Sequence, residues 1–189
     1  MSDVDTKSFV LSEAETLIRT MGYAAFSYAD LSERVGIRKA SIHHHFPTKE
    51  ALGTAVIDRY LEKFVAELAA LAARAFSTKR KLLVYGDYFA SDLLNGQMPL
   101  CGALAGDAAD LPTVMQKRVK AFFELHLTWL EKVLTLGIAA GEIERAQLPK
   151  PSALLLLSTL QGASIVAWAL KDPSVVRPAY RQAVERLTK

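Results

Sequence analysis

Along most of this 189-residue chain the apolar positions recur every three or four residues, the spacing that gathers them on one face of an α-helix. From Thr6 to Met21 the stripe is Val10, Ala14, Leu17, Ile18 and Met21, with Lys7, Glu13, Glu15 and Arg19 outside it and Gly22 as the stop. The stretch Phe26 to Leu52 is denser in signals. Ser27 suits an N-cap, because its hydroxyl can accept an orphan amide hydrogen, and Asp30 favours the positive end of the helix that follows. Leu31 and Val35 share a face, and Gly36 stands where the chain must turn through a left-handed conformation. Ile37 plugs the corner. A second helix is expected from Arg38 or Lys39 to His45 or Phe46, with Ile42 and Phe46 inward, Pro47 as its stop and Thr48 as the cap of the next. Tyr23 and Phe26 fold back over a small core shared with Leu31, Val35, Ile42 and Leu52. Two short helices about a Gly turn predict a helix-turn-helix.

Beyond it, Lys49 to about Phe76 reads as one long helix with the seam Leu52, Val56, Tyr60, Phe64, Leu68 and Leu71, weakened only at Gly53. Ser77 or Thr78 caps a helix running to Leu94, where Asn95-Gly96 stops it. A short helix is expected at Leu100 to Asp107 and a long one at Thr113 to Ala140, ended by Gly141. After a loop through Pro149 and Pro151, the run Ala153 to Leu170 is apolar on every side, and an amphipathic helix at about Val175 to Leu187 closes the chain. The apolar run approaches a membrane span in length. Ser158, Thr159, Gln161 and Ser164 interrupt it, and a helix apolar all round can instead be buried between its own core and a partner subunit, so no membrane is expected. The fold predicted is all-α, with about nine helices and an N-terminal three-helix unit.

Composition narrows this only slightly. Half the residues are apolar (51%), enough for a core, and the single cysteine, Cys101, excludes an internal disulfide and fits a reducing compartment. MSDVDTKSFV holds acids and no apolar run, so it is not a secretory signal. The net charge of +3 is mild, but its distribution is not uniform. Arg34, Arg38, Lys39 and Lys49 occur without an acid between them, after a net acidic segment. Such segregation makes a local positive face suited to phosphates, with salt-sensitive affinity.

The residues Gly22-Tyr23, Asp30-Leu31, Val35-Gly36-Ile37, Lys39-Ala40-Ser41-Ile42, His44-His45-Phe46 and Lys49-Glu50-Ala51-Leu52 resemble the TetR-type transcriptional regulators, over about a quarter of the chain. The resemblance implies a DNA-binding domain at 1–48 joined to a helical effector-binding and dimerisation domain at 49–189. It implies a homodimer on a palindromic double-stranded DNA operator, a small-molecule effector that releases it, and a cytoplasmic protein associated with the nucleoid when bound to DNA. Its recognition helix is about Lys39 to His45. Arg38, Lys39, Ser41, His43 and His44 would face DNA, while Ser27, Tyr28 and Lys49 would meet phosphates from helix N-termini. Two positions depart from the family pattern: His43 stands where Tyr is common, and Arg38 replaces a small capping residue. LCGALAGDAADLP is similar to a Cys-containing segment of one subgroup.

Consecutive helical residues point about 100° apart, so His43-His44-His45 cannot close on one metal ion; no metal or cofactor is expected. His45 is expected beside Phe46. Groove-facing histidines would add positive charge as pH falls from 8 to 6, and operator affinity would rise. Tyr88, Phe89, Met98, Cys101, Leu104, Phe122, Phe123, His126, Trp129 and Trp168 are candidates for a largely apolar effector pocket, though such residues at helical spacing also make ordinary core. Cys101 is either a small buried residue or a thiol sensor, the latter needing a depressed pKa. The long helix at Thr113 to Ala140 and the apolar run are the expected dimer pair, with Ala153, Gly162, Ala163 and Ala167 small enough for close approach. The rivals are a small helical enzyme and a helical interaction module without DNA binding. No catalytic motif supports the former.

Overall fold

The computed structural model describes residues 3–144 and 147–188, so two positions of the expected loop before Pro149 lie outside the described residues. The described residues form nine α-helices: α1 Asp3–Met21, α2 Tyr28–Val35, α3 Lys39–His45, α4 Lys49–Ala73, α5 Thr78–Leu94, α6 Leu100–Gly106, α7 Thr113–Ala139, α8 Pro149–Leu170 and α9 Val176–Glu185. A short 3-10 helix, Pro173–Val175, precedes α9. Beyond helices there is one isolated antiparallel bridge, Ile143 to Thr188. Three expected boundaries move by three residues or more, the first being the start of α1, at Asp3 rather than Thr6. Helix α4 stops at Ala73 rather than Phe76, and α8 starts at Pro149, absorbing both prolines into a first turn where no amide hydrogen is needed.

Two compact units divide the chain. The first comprises residues 1–62 and 100–121, the second 63–99 and 122–189, so α4 and α7 each contribute to both units. In the first, Val10, Ala14, Leu17 and Ile18 of α1 are buried with Phe26, Leu31, Ile42, Phe46, Leu52, Val56 and Tyr60. Met21, expected on the α1 stripe, is 48% exposed. Glu15 bridges two cations, Arg19 at 3.0 Å and Arg59 at 2.9 Å, tying α1 to α4. Burial of Leu100, Cys101 and Leu104 adds α6 to this core, which packs on α1.

In the second unit α8 packs on α9 and α5. Ser77 caps α5, its hydroxyl accepting from the Arg80 amide at 3.2 Å, and the Glu142 carboxylate after α7 accepts from the Thr78 amide. That hydrogen bond holds the Glu142 carboxyl below its ordinary range. By length and composition α8 could cross a membrane, yet one side of it, including Ser152, Leu156, Leu160 and Ser164, is buried within this unit. Leu154, Leu155, Ile165 and Val166 on the other side are each at least half exposed.

Candidate nucleic-acid interface

The α2–α3 corner is built from local rules. Ser27 has an extended backbone and its hydroxyl oxygen accepts from the amides of Ala29 and Asp30, while the Asp30 carboxylate accepts from the Ser27 amide at 2.7 Å. This reciprocal capping box satisfies donors that a helix start otherwise leaves orphaned. The Ser27 hydroxyl also donates to Asp30, and these hydrogen bonds hold the Asp30 carboxyl below the usual range. Helix α2 ends on Gly36 at φ 72°, a left-handed conformation that a β-carbon would strain, with its amide bonded to the Ser32 carbonyl. Arg38 occupies the N-cap of α3 without any side-chain cap bond. Ile42 and Phe46 are inward as expected, so α3 is held by one apolar edge, and its other side chains except half-buried His45 face out.

The outward set is Arg38, Lys39, Ser41, His43 and His44, all exposed and all on or beside one short helix. The positive face is smaller than the four cations suggest. Arg34 is spent on Glu13 of α1 at 2.6 Å. Lys49 donates to the Ala24 carbonyl at 3.1 Å and lies over the rings of Tyr23 (4.8 Å) and Phe26 (4.6 Å). Burial there lowers the Lys49 pKa. Arg38 and Lys39 remain as the outward cations of the four.

The expected phosphate ligands Ser27 and Tyr28 are committed within the protein. The Ser27 hydroxyl is the cap just described. The Tyr28 hydroxyl donates to the Phe46 carbonyl at 2.8 Å, and burial, then the nearby Tyr23, push its pKa up to about 12. These two side chains brace α2 against α3 before any ligand is considered. Lys7, not singled out in the sequence, stands over the Phe46 ring at 5.8 Å and brings a cation of α1 to the end of α3. Its only sequence signal is a polar place on the outer face of α1. His45 packs on Phe46, with ring centroids 6.4 Å apart.

The residues expected around an effector fall into several places. Cys101 and Leu104 belong to the first unit, the other eight to the second. Cys101 is fully buried, and burial pushes its thiol pKa up, the opposite of what a reactive thiolate requires. In the second unit His126 is fully buried among Phe122 (ring centroids 4.1 Å), Phe64 (4.8 Å), Phe89 (5.6 Å) and Tyr85. Tyr85 also stacks on Trp129 at 5.2 Å, and the Trp129 indole donates to the Leu68 carbonyl at 2.9 Å. Phe123 meets Phe122 edge-on and half-buried Tyr88 meets Phe64 edge-on. Tyr85 and Phe64 were missed as site residues, although Tyr85 and Phe89 share a face of α5 at i, i+4. Trp168 stands apart from the cluster, 40% exposed, lining a cavity of about 390 Å³ with Leu93, Gly96, Ala167, Lys171 and Pro173. Of the four small residues expected at a dimer contact, Ala153 and Ala167 are buried inside their own unit, which takes them out of it. Gly162 is exposed and Ala163 half-buried.

Comparison with known proteins gives this arrangement a family. Residues 10–56 match the family described as "Bacterial regulatory proteins, tetR family". A TetR-family transcriptional regulator from Agrobacterium tumefaciens is 33% identical, with 100% of both chains covered and a TM-score of 0.94. A TetR regulator from Legionella pneumophila is 32% identical over 97% of each chain, at a TM-score of 0.87. The transcriptional repressor ComR of Escherichia coli is 29% identical over 165 residues, covering 83% of this chain and 77% of its own. The relatives are named regulators rather than enzymes, and they support neither the enzymatic rival nor an interaction module without DNA binding. With its capped α2, its Gly36 turn and its outward α3, the chain belongs to the TetR family of ligand-responsive, DNA-binding transcriptional regulators.

Proposed function

We propose that the protein is a repressor that binds a palindromic operator as a homodimer and leaves it when a small, largely apolar molecule binds. The observation that carries this reading is α3, held to the core by Ile42 and Phe46 and presenting Arg38, Lys39, Ser41, His43 and His44 outward. A helix so placed can lie in a major groove and reach base edges with its outer side chains. Residues 1–48 form the reading head, and 49–189 carry effector binding and dimerisation. Since the Ser27 and Tyr28 side chains brace the corner, their part in phosphate binding passes to the N-terminal end of α2. Lys49 adds charge from the start of α4.

The dimer reading rests on α8. Its exposed Leu154, Leu155, Ile165, Val166 and Leu170 make an apolar face that a second copy would cover, with Gly162 allowing close approach. Leu136 of α7 is a further exposed apolar residue suited to its edge. The effector reading rests on His126, whose Nε2 is buried without a hydrogen-bond partner among the described residues. An unpaired buried nitrogen inside an aromatic cluster suits a ligand with one hydrogen-bonding group on an apolar frame. Effector binding then favours one of two global states of the dimer, with different half-site spacing. As a DNA-binding regulator the protein works in the cytoplasm, and operator binding places it on the nucleoid.

Fluorescence polarisation on labelled duplexes tiling the sequence beside its own gene tests the reading. One duplex should bind specifically, with affinity falling steeply as salt rises, and Arg38→Ala with Lys39→Ala should flatten that salt dependence. Equal, weak binding to every duplex would remove the operator claim.

A further inference from the structure

The cavity of about 390 Å³ at the C-terminal ends of α5 and α8 is separate from the His126 cluster. Leu93, Gly96, Ala167, Trp168, Lys171 and Pro173 line it, all within the second unit, and none of them belongs to that cluster. Its size falls in the range of about 300–1,000 Å³ usual for small-molecule sites. Two of its residues stand out. Trp129, the other tryptophan, is buried and donates its indole hydrogen to the Leu68 carbonyl. Trp168 is 40% exposed, and its indole N–H meets no acceptor among the described residues. Lys171 is the one described non-glycine residue at positive φ, 53°, whereas Gly22, Gly36, Gly96 and Gly141 fill the other such positions. A left-handed backbone strains any residue with a β-carbon, so the end of α8 by itself favours glycine here. The Lys171 amide hydrogen bonds to the Ala167 and Trp168 carbonyls, and the Asp172 amide to the Ala167 carbonyl at 3.0 Å.

We infer that this cavity is a second small-molecule site, taking an aromatic carboxylate whose ring lies against Trp168 and whose carboxylate meets Lys171. The inference goes beyond the effector reading at His126 and depends neither on it nor on DNA binding. Leu93, Ala167 and Pro173 give the cavity apolar walls, and the open indole offers a flat ring an offset-stacked contact. Its side-chain polar groups are the Lys171 ammonium and the Trp168 indole N–H, both donors, with no acceptor side chain among the lining residues. The head group that complements them is an anionic acceptor, bound to the lysine by a charge-assisted hydrogen bond. The adjacent acid does not compete, since the Asp172 carboxylate accepts from the Ser174 amide at 2.9 Å and caps the 3-10 helix. Carbonyls at the ends of α5 and α8, which would repel a carboxylate, are hydrogen-bonded by the amides of Asn95, Gly96, Lys171 and Asp172. A cation at a helix C-terminus is favourable in itself. A lysine in the last helical turn would meet that need without the left-handed strain.

The test is isothermal titration of the full-length protein with biphenyl carboxylate, followed in parallel by tryptophan emission. The wild type should bind and its emission should change, while Trp168→Phe, which keeps Trp129 as fluorophore, should lose the change. Lys171→Gln should weaken binding roughly tenfold, the size of one hydrogen bond to a charged group. The uncharged biphenyl carboxamide should bind the wild type as weakly and be indifferent to Lys171→Gln. Lys171→Gly, which relieves the left-handed backbone, should melt no lower than the wild type and show the same loss of affinity, separating the ligand contact from folding. Absence of wild-type binding, undiminished affinity in Lys171→Gln, or an emission change that survives in Trp168→Phe would overturn the inference. So would acrylamide quenching of the wild type no greater than that of Trp168→Phe, because a second copy of the chain would then shield the indole. Any of these failures leaves the operator and His126 readings standing.

Discussion

The Tyr85 hydroxyl and His126 Nδ1 lie 2.8 Å apart in a fully buried cluster, joining α5 to α7 by a polar contact surrounded by rings. Burial lowers the His126 pKa from 6.5 to about 3. The imidazole is therefore neutral in the fold at any pH the protein meets in a cell. In the unfolded chain it titrates at its ordinary value, so below pH 6.5 the unfolded state binds a proton that the folded state refuses. Stability is fully present above pH 6.5 and declines as pH falls towards 3. Between pH 7.5 and pH 5 this residue alone should cost about 2 kcal/mol. Urea unfolding at the two pH values, compared between wild type and His126→Gln, isolates it. A variant with the same pH slope as the wild type would show that another group is responsible.

Gly86 of α5 packs directly against the Tyr180 ring of α9. A β-carbon on Gly86 would overlap the edge of the Tyr180 ring, which is rigid and buried. Gly86→Ala should therefore destabilise by about 1–3 kcal/mol despite the better helix propensity of alanine, because the ring must move. Thermal melting checks it, and an unchanged or raised Tm would contradict the packing.

The Tyr180 hydroxyl is itself buried without a hydrogen-bond partner among the described residues. Removing it leaves the ring in place and relieves an unmet donor. Tyr180→Phe should gain on the order of 1 kcal/mol in urea unfolding. A loss of that size would mean that the hydroxyl has a partner in solution.

At the reading head, Ser27→Ala removes the acceptor for two amides and the donor to Asp30. The expected cost is about 1 kcal/mol of stability, with weaker operator binding because α2 supports α3. Hydrogen exchange should show the added opening at the α2 amides first. Opening spread evenly over the protein would count against a local cap.

The exposed side of α8 predicts an assembly. Ile165→Glu puts a charge where Leu155 and Val166 also face out, and should convert the proposed dimer to a monomer at micromolar concentration without loss of helix content. Sedimentation with circular dichroism tests both halves. A wild type that sediments as a monomer would end the dimer reading at once.

Much of the architecture was legible because its signals are local. The limits of α2 and α3 followed from Ser27, Gly36 and Pro47, each of which acts on its own backbone or a neighbour a few residues away. The inward pair Ile42 and Phe46 followed from helical spacing. The candidate site was legible only as a list of outward residues. That Arg34 is neutralised by Glu13, twenty-one positions earlier, and that Tyr28 donates to Phe46, eighteen later, cannot be inferred from spacing, since each depends on where another helix lies. The effector set suffered most. Aromatic residues at helical spacing on α5 and α7 look alike in sequence, so spacing neither marks out Tyr85 nor separates Trp168 from a cluster it does not join.

By itself, then, the amino-acid order determined the helices, their caps and the helix-turn-helix, because backbone hydrogen bonding and side-chain periodicity are settled within a few residues. The tertiary structure alone decided the rest. Helix α8 is apolar on all sides, so no periodicity distinguishes a buried face from an exposed one. Packing against α5 and α9 made that choice, turning Ala153 and Ala167 inward and leaving Leu155, Ile165 and Val166 out. At His43 the ring lies 4.6 Å from that of Tyr28, with Nδ1 3.3 Å from the Pro47 carbonyl oxygen, a placement that depends on how the chain leaves α3.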